Sequence, residues 1–219
     1  MPRPDIDPDM PPDTVIDISR SLADPDAAWP GDPPFAARAF TTLDGHGHLS
    51  SALSMSAHCG THLDLPAHVL PHGATLEGYP VRRFVLGALV LDVPQAAGGV
   101  VDETLARQAL AGPSPLLPGQ AALWRTGRHG WLEADAARIL AEAGAGLAGV
   151  ESASVDDPGL PGLPAHRALL GADVPILEGL DLSRAPSGRW LLVCPPLPAP
   201  GLEASPVRAL LMRRERPRQ

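Results

Sequence analysis

The stretch His58-Cys59-Gly60-Thr61-His62-Leu63-Asp64-Leu65-Pro66-Ala67-His68 constrains this chain more than any other part of it. It offers three imidazoles and one carboxylate, side chains that ligate divalent metals through nitrogen and oxygen. Gly60 and Pro66 argue against a regular helix here, one being a poor helix former and the other a very poor one. In a straight strand His58 and His62 would stand about 13 Å apart, at roughly 3.3 Å per residue, too far for both to reach one ion. The chain must curl between them, and Gly60 is the residue that permits it. Pro66 is expected to hold an extended, rigid exit that aims His68. We read the segment as a bent strand or ordered loop whose side chains converge. The bland alternative, a His-rich surface loop, would not need Gly, Asp and Pro interleaved in this order.

A length of 219 residues suits one domain or two small ones, and a 44% apolar composition can bury a core. The net charge of −8 gives nucleic-acid binding no electrostatic support. The longest apolar run, in Phe84–Leu91, is far short of a membrane span. Cys59 and Cys194 do not make a disulfide framework, and nothing resembles a signal peptide, so a reducing cytoplasm is the expected compartment.

Along the chain, residues 1–13 are Pro- and Asp-rich and read as a flexible arm, 14–212 as one domain, and 213–219 as a solvated basic tail. Thr14–Ile18 reads as a first strand. Trp29 heads the turn Trp29-Pro30-Gly31-Asp32, and a large aromatic there is more often a core anchor than a pocket wall. Residues 35–42 and 49–58 read as strands around the turn 44–47. The second alternates Leu53, Met55 and Ala57 against Ser54, Ser56 and His58, and so carries His58 on its polar face. His46 and His48, at that turn, read as solvated. Residues 71–79 read as a loop, and 84–93 as a buried strand. Asp102 is a candidate cap for a helix to Ala111. Residues 120–125 and 147–150 read as strands, and 131–143 as an amphipathic helix closed by Gly144. Residues 164–170 read as a short helix, 176–180 and 190–194 as extended, and 205–212 as strand or helix. The letters Gly144-Ala145-Gly146-Leu147-Ala148-Gly149 fit a dinucleotide fingerprint but follow a helix and precede a strand, the reverse of its context. Strand-rich mixed α/β is the expected class.

Two His and one Asp leave an ion short of ligands. His166 and Glu178 are the best remaining donors. By itself His166 reads as a helix-surface or satisfied core histidine. Glu178 lies among Ile176, Leu177 and Leu180, where an unpaired carboxylate is costly. A metal would satisfy it, and so would an arginine. If the five donors converge, they suit two ions about 3.5–4 Å apart better than one, since Asp64 and Glu178 can each bridge. His68 is then left over, a spare imidazole suited to moving protons.

The motif at 58–68 resembles the signature of the cyclase-type metal-dependent hydrolases, the family of bacterial kynurenine formamidases. Asp17-Ile18-Ser19 with Trp29-Pro30-Gly31-Asp32 resembles the formamidase N-terminus. Ala165-His166-Arg167 and Ile176–Leu180 resemble its second metal segment, and 204–209 its C-terminal segment. The resemblance implies a swivelling β/β/α fold and a homodimer. It implies a zinc pair on His58, His62, Asp64, His166 and Glu178, with Asp64 and Glu178 bridging, although manganese also suits a site rich in carboxylate. It makes His68 the proton donor and acceptor, and moves Trp29 from core anchor to substrate-pocket wall. Leu65 stands where the family commonly has a small residue, which implies a narrower pocket, and Cys59 fills a variable slot.

The expected activity is therefore metal-dependent hydrolysis of N-formyl-L-kynurenine to kynurenine and formate. Opening of a cyclic amide such as an isatin ring is the alternative within the family. A non-catalytic binding protein would be expected to lack a donor, and none is missing. A serine hydrolase would need a Gly-x-Ser-x-Gly elbow, which is absent.

Overall fold

The computed structural model describes residues 14–93, 98–112 and 114–213. The expected arm at 1–13 lies outside them, as does the expected tail apart from Arg213.

The elements in chain order begin with β1 (Thr14–Asp17), β2 (Ala36–Thr41), α1 (Leu43–His46), β3 (Ser50–Ser54) and β4 (His62–Asp64). Next come β5 (Val85–Asp92), α2 (Glu103–Leu110), β6 (Ala121–Arg125), α3 (Ala134–Glu142), β7 (Leu147–Val150), α4 (Pro164–Gly171) and β8 (Ile176–Glu178). The chain closes with β9 (Gly188–Val193), β10 (Ala204–Pro206) and β11 (Leu210–Arg213). Strand-rich mixed α/β is what the sequence led us to expect.

Nine strands form one sheet in the order β1-β11-β9-β5-β6-β7-β8-β4-β10. β5 through β8 pair in parallel, successive strands being joined through α2, α3 and α4, as parallel strands require. Antiparallel strands flank them on both sides. The sheet curls so that the chain leaving β1 meets the chain leaving β8: Ser19 bridges Leu180, and Asp181 N–H donates to the Ile18 carbonyl at 2.9 Å.

Strand alternation divides the core between the two faces. On one face Trp124, Val150 and Ile176 pack with Leu140 and Leu169 of the helices. On the other, Leu63, Leu65, Leu123, Leu177, Leu192 and Leu211 close around Phe84 and Ile18. Each such side chain, fully buried, contributes roughly 1.5–3 kcal/mol. Leu63 and Leu177 point into this second core, so His62, Asp64 and Glu178, their neighbours in sequence, must point the other way. Leu65 shares the second core and lines no part of the cavity described below, so it does not narrow the pocket as the resemblance implied.

Asp102 caps α2 as expected, accepting from Leu105 N–H at 2.7 Å. Several boundaries differ from the sequence reading. α3 starts at Ala134 because Leu132 is drawn into a bridge with Val101. Residues 205–212 are two strands, not one element. Arg213 ends β11 with its guanidinium 4.4 Å from the centre of the Trp190 ring. The strand expected over 49–58 stops at Ser54. Ser56 N–H bonds instead to the Pro33 carbonyl, and Cys59 N–H to that of Ser56, so His58 comes from a turn. β2 and β3 form a separate ribbon that leaves Phe40, Leu43, Leu49 and Leu53 exposed. The alternation in β3 therefore marks no buried face. Among the described residues no helix is long and apolar enough to cross a membrane.

Candidate metal centre

Three devices bring the motif together. The first is a pair of glycines. Gly60 takes a positive φ of +71°, and Gly179, at +66°, lies so close that a Cβ there would sit 2.5 Å from the Gly60 carbonyl oxygen. This approach lets β4 lie beside β8. The second is register: His62 stands opposite Glu178, and Asp64 lies two residues on along the same face. The third is Thr61, which sequence reasoning passed over. Its buried hydroxyl accepts from Arg20 N–H at 2.7 Å and donates to the Gly179 carbonyl at 2.6 Å, pinning three segments.

Pro66 opens a single 3-10 turn, Pro66–His68, rather than the extended exit expected. Its fixed φ suits the first position of a helical turn as well as an extended chain. The His68 amide then donates to the Leu65 carbonyl at 2.9 Å, and the ring turns back toward His58.

All the expected side chains meet. Asp64 Oδ1 lies 2.9 Å from His58 Nδ1 and 3.5 Å from His62 Nε2, and its Oδ2 lies 3.3 Å from His166 Nε2. Glu178 Oε2 lies 3.4 Å from His62 Nε2, and its Oε1 lies 3.2 Å from His166 Nε2. The His68 ring centre is 4.5 Å from that of His58 and 5.3 Å from that of His166. Trp29 is 40% exposed, so it is no core anchor. It lines a cavity of about 310 Å³ together with His58, His62, Asp64, His68 and Glu178. Cys59 is fully buried and does not line that cavity.

The imidazoles are held at their far nitrogens. His62 Nδ1 lies 3.0 Å from the Gly60 carbonyl, and His166 Nδ1 lies 2.6 Å from Asp156 Oδ2. Both rings thus present Nε2 to the carboxylates, the arrangement that orients histidine ligands in metal sites. Asp156 escaped the sequence reading. It also accepts the Ala165 and His166 amides, capping α4 from ten residues away because Leu163, at the cap position, has no side chain to do so.

The site fits a cation. Asp64 and Glu178 are buried, and no Arg or Lys lies within 4.0 Å of either among the described residues, so the arginine alternative for Glu178 is not what is found. His62 Nε2 and Asp64 Oδ1 are buried without a hydrogen-bond partner, although buried polar atoms are rarely left so. Two groups have ligand atoms mutually within 4.8 Å: His62 with Asp64 and Glu178, and His58 with Asp64 and His68.

The charges sharpen this. Burial disfavours a charge on Asp64, but His62, His166 and His58 outweigh it and hold the carboxyl well below its ordinary range. Burial opposes a charge on His62 too, yet Asp64 and Glu178 push it up to about 9. His166 is raised against its burial by Glu178 and Asp156. His68 is lowered, chiefly by burial. A histidine whose proton affinity rises on folding adds stability below its unfolded value and loses it as pH climbs through the folded one. Chelator-treated protein should therefore lose stability as pH rises from 6.5 toward about 9, by about 1.4 kcal/mol per pH unit from His62. Thermal melts across that window test this, and a flat profile would remove the charged-imidazole assignment.

Comparison with known proteins adds the family. Residues 16–157 match the family model described as "Putative cyclase". The kynurenine formamidase of Salinibacter ruber is 36% identical over 210 residues, covering 90% of this chain and 96% of that protein. A solved structure from Bacillus stearothermophilus, described as a predicted metal-dependent hydrolase, superposes with a TM-score of 0.77 at 26% identity, covering 92% of this chain and 98% of that one. Isatin hydrolase A from Labrenzia aggregata shares the fold, with a TM-score of 0.81 at 23% identity over 92% of this chain and 94% of its own. With the motif at 58–68 inside the matched region and its side chains gathered in one cavity, the chain belongs to the Putative cyclase family.

Proposed function

We propose that this protein is a metal-dependent amidohydrolase that cleaves N-formyl-L-kynurenine to L-kynurenine and formate. His58, His62, Asp64, His166 and Glu178 would hold two divalent ions. The observation that carries this reading is that His62 Nε2 and Asp64 Oδ1, buried within a carboxylate and imidazole cluster, form no well-aligned hydrogen bond there. The kynurenine formamidase relative supports the substrate. Zinc suits the nitrogen and oxygen donors, and manganese is the second choice for a site rich in carboxylate.

Bound ions would supply Lewis acidity and lower the pKa of water toward neutrality. The chain's own residues do the rest. Gly60 and Asp156 fix the His62 and His166 rings. Trp29 forms a wall against which an aromatic substrate ring can lie. The His68 nitrogens carry no hydrogen bond among the described residues, and its lowered proton affinity leaves the ring neutral near pH 7. A neutral imidazole can take a proton from the attacking water and return it to the anilino nitrogen as the C–N bond breaks.

The test is metal analysis of purified protein with hydrolysis assays before chelation, after it, and after metal is restored. About two ions per chain are expected, with activity lost and regained in step. N-formyl-kynurenine should be cleaved in preference to isatin. Preference for isatin would replace the substrate, and no turnover of either by the metal-loaded protein would end the reading. The exposed ribbon of β2 and β3 supports a homodimer, in which Phe40 and Leu53 would be covered by a second copy. Sedimentation equilibrium should give a dimer, and Phe40→Asp with Leu53→Asp should give a monomer. A monomeric parent would remove this assignment.

A further inference from the structure

Among the residues lining the cavity, beside the acids Asp26 and Asp32, stands one arginine for which the cation cluster has no use. Arg20 is only 9% exposed, yet it lines the same cavity as His58, His62, Asp64 and Glu178. A guanidinium carries five N–H donors. Among the described residues one hydrogen bond from it is found, NH2 to the Glu151 carbonyl at 2.5 Å, and no carboxylate lies within 4.0 Å. Nearby acids are otherwise engaged: Asp24 Oδ2 lies 2.9 Å and Asp26 Oδ2 3.6 Å from nitrogens of Arg128. A buried charge is costly unless paired, so an arginine kept here without an acid is placed to receive one from outside. Its position is also fixed relative to the cluster. The Arg20 amide donates to Thr61 Oγ1, and Thr61 is the residue before His62.

We propose that Arg20 anchors a carboxylate on the substrate, making the site selective for amides of anionic, amino-acid-like compounds over neutral ones. The inference deepens the formamidase reading and rests on it for the identity of the substrate. Planar and forked, the guanidinium can hold a carboxylate through two parallel bonds while NH2 keeps its bond to Glu151. The cluster of carboxylates and imidazoles would then face the scissile amide at the other end of the molecule. A purely structural arginine, tying the end of β1 to the end of β7, would act alike on every ligand.

The experiment is calorimetric binding to metal-loaded protein of L-kynurenine and of kynuramine, the same aryl amine without its carboxylate. Wild type should prefer L-kynurenine by roughly 30-fold or more, the scale of an arginine–carboxylate pair lost from a buried site. Arg20→Met should erase that preference and leave kynuramine affinity unchanged. Arg20→Lys, which keeps the charge and loses the fork, should retain part of it and serves if Arg20→Met does not fold. Equal binding of the two ligands by wild type, binding of neither, or an equal loss of both in the variants would overturn the proposal. If wild type fails to hydrolyse N-formyl-kynurenine while the preference holds, the reaction is wrong and the anchor stands.

Discussion

Asp64→Ala is expected to lose bound metal and hydrolysis together. One carboxylate serves three imidazoles: Oδ1 faces His58 and His62, and Oδ2 faces His166. Glu178, by contrast, faces His62 and His166 only. With Asp64 gone, neither group of candidate ligands keeps a complete set, since the residue belongs to both. The fold should suffer as well. Removing one partner of a buried ion pair costs about 3–5 kcal/mol, because the other charge is left uncompensated. Asp64 is wholly buried, and among the groups that raise the proton affinity of His62 it comes first, while for His166 it follows Glu178 and Asp156. Elemental analysis after dialysis, with a thermal melt, reads both effects. Asp64→Asn, of nearly the same shape, separates charge from packing. Full metal content in either variant would show that Asp64 does not bridge.

His68→Ala should behave differently, keeping its metal while the rate falls by roughly 10²–10⁴. The ring is half-buried in the cavity, at 4.5 Å from His58 and 5.3 Å from His166 between ring centres, and no hydrogen bond fixes its protonation among the described residues. Burial and the neighbouring imidazoles lower its proton affinity below the ordinary 6.5. The acid limb of the rate profile should therefore lie below that value in the parent and be absent in the variant. A rival role is visible, since His68 also falls within ligand reach of His58 and Asp64. Metal content decides between them: a variant that loses an ion would make His68 a ligand, and one that keeps both ions with unchanged rate would leave it no part in the chemistry.

Much of this site could be read in the letters because its spacing is that of a strand. His62 and Asp64 stand two apart with Leu63 between, which is the whole reason they share a face. The same alternation, carried one residue further, turns Leu65 to the opposite core; treating it as a pocket residue neglected that rule. His58 was assigned to a strand because Leu53 to His58 alternates in polarity. The carbonyl of Pro33 takes the Ser56 amide and ends the pairing, and a contact between residues so far apart in sequence leaves no local trace. Pro66 was ambiguous, since one fixed φ serves both an extended exit and a helical turn. Asp156 and Arg20 were missed for a common reason. Each meets the site from across the fold, the first by capping a helix at a distance and the second by reaching the shared cavity.

β4 finds its partners late. It pairs with 176–178 on one side and 204–206 on the other, whereas β5 to β8 can assemble from neighbours in sequence. Pairings across such long separations carry the largest loop-closure cost and tend to form slowly. As the nascent chain leaves the ribosome, His62 and Asp64 emerge early and wait, exposed, until β8 and then β10 have been translated. The cradle thus closes after the central strands, and a chain cut short before 204 would carry the motif without the strand that covers its edge.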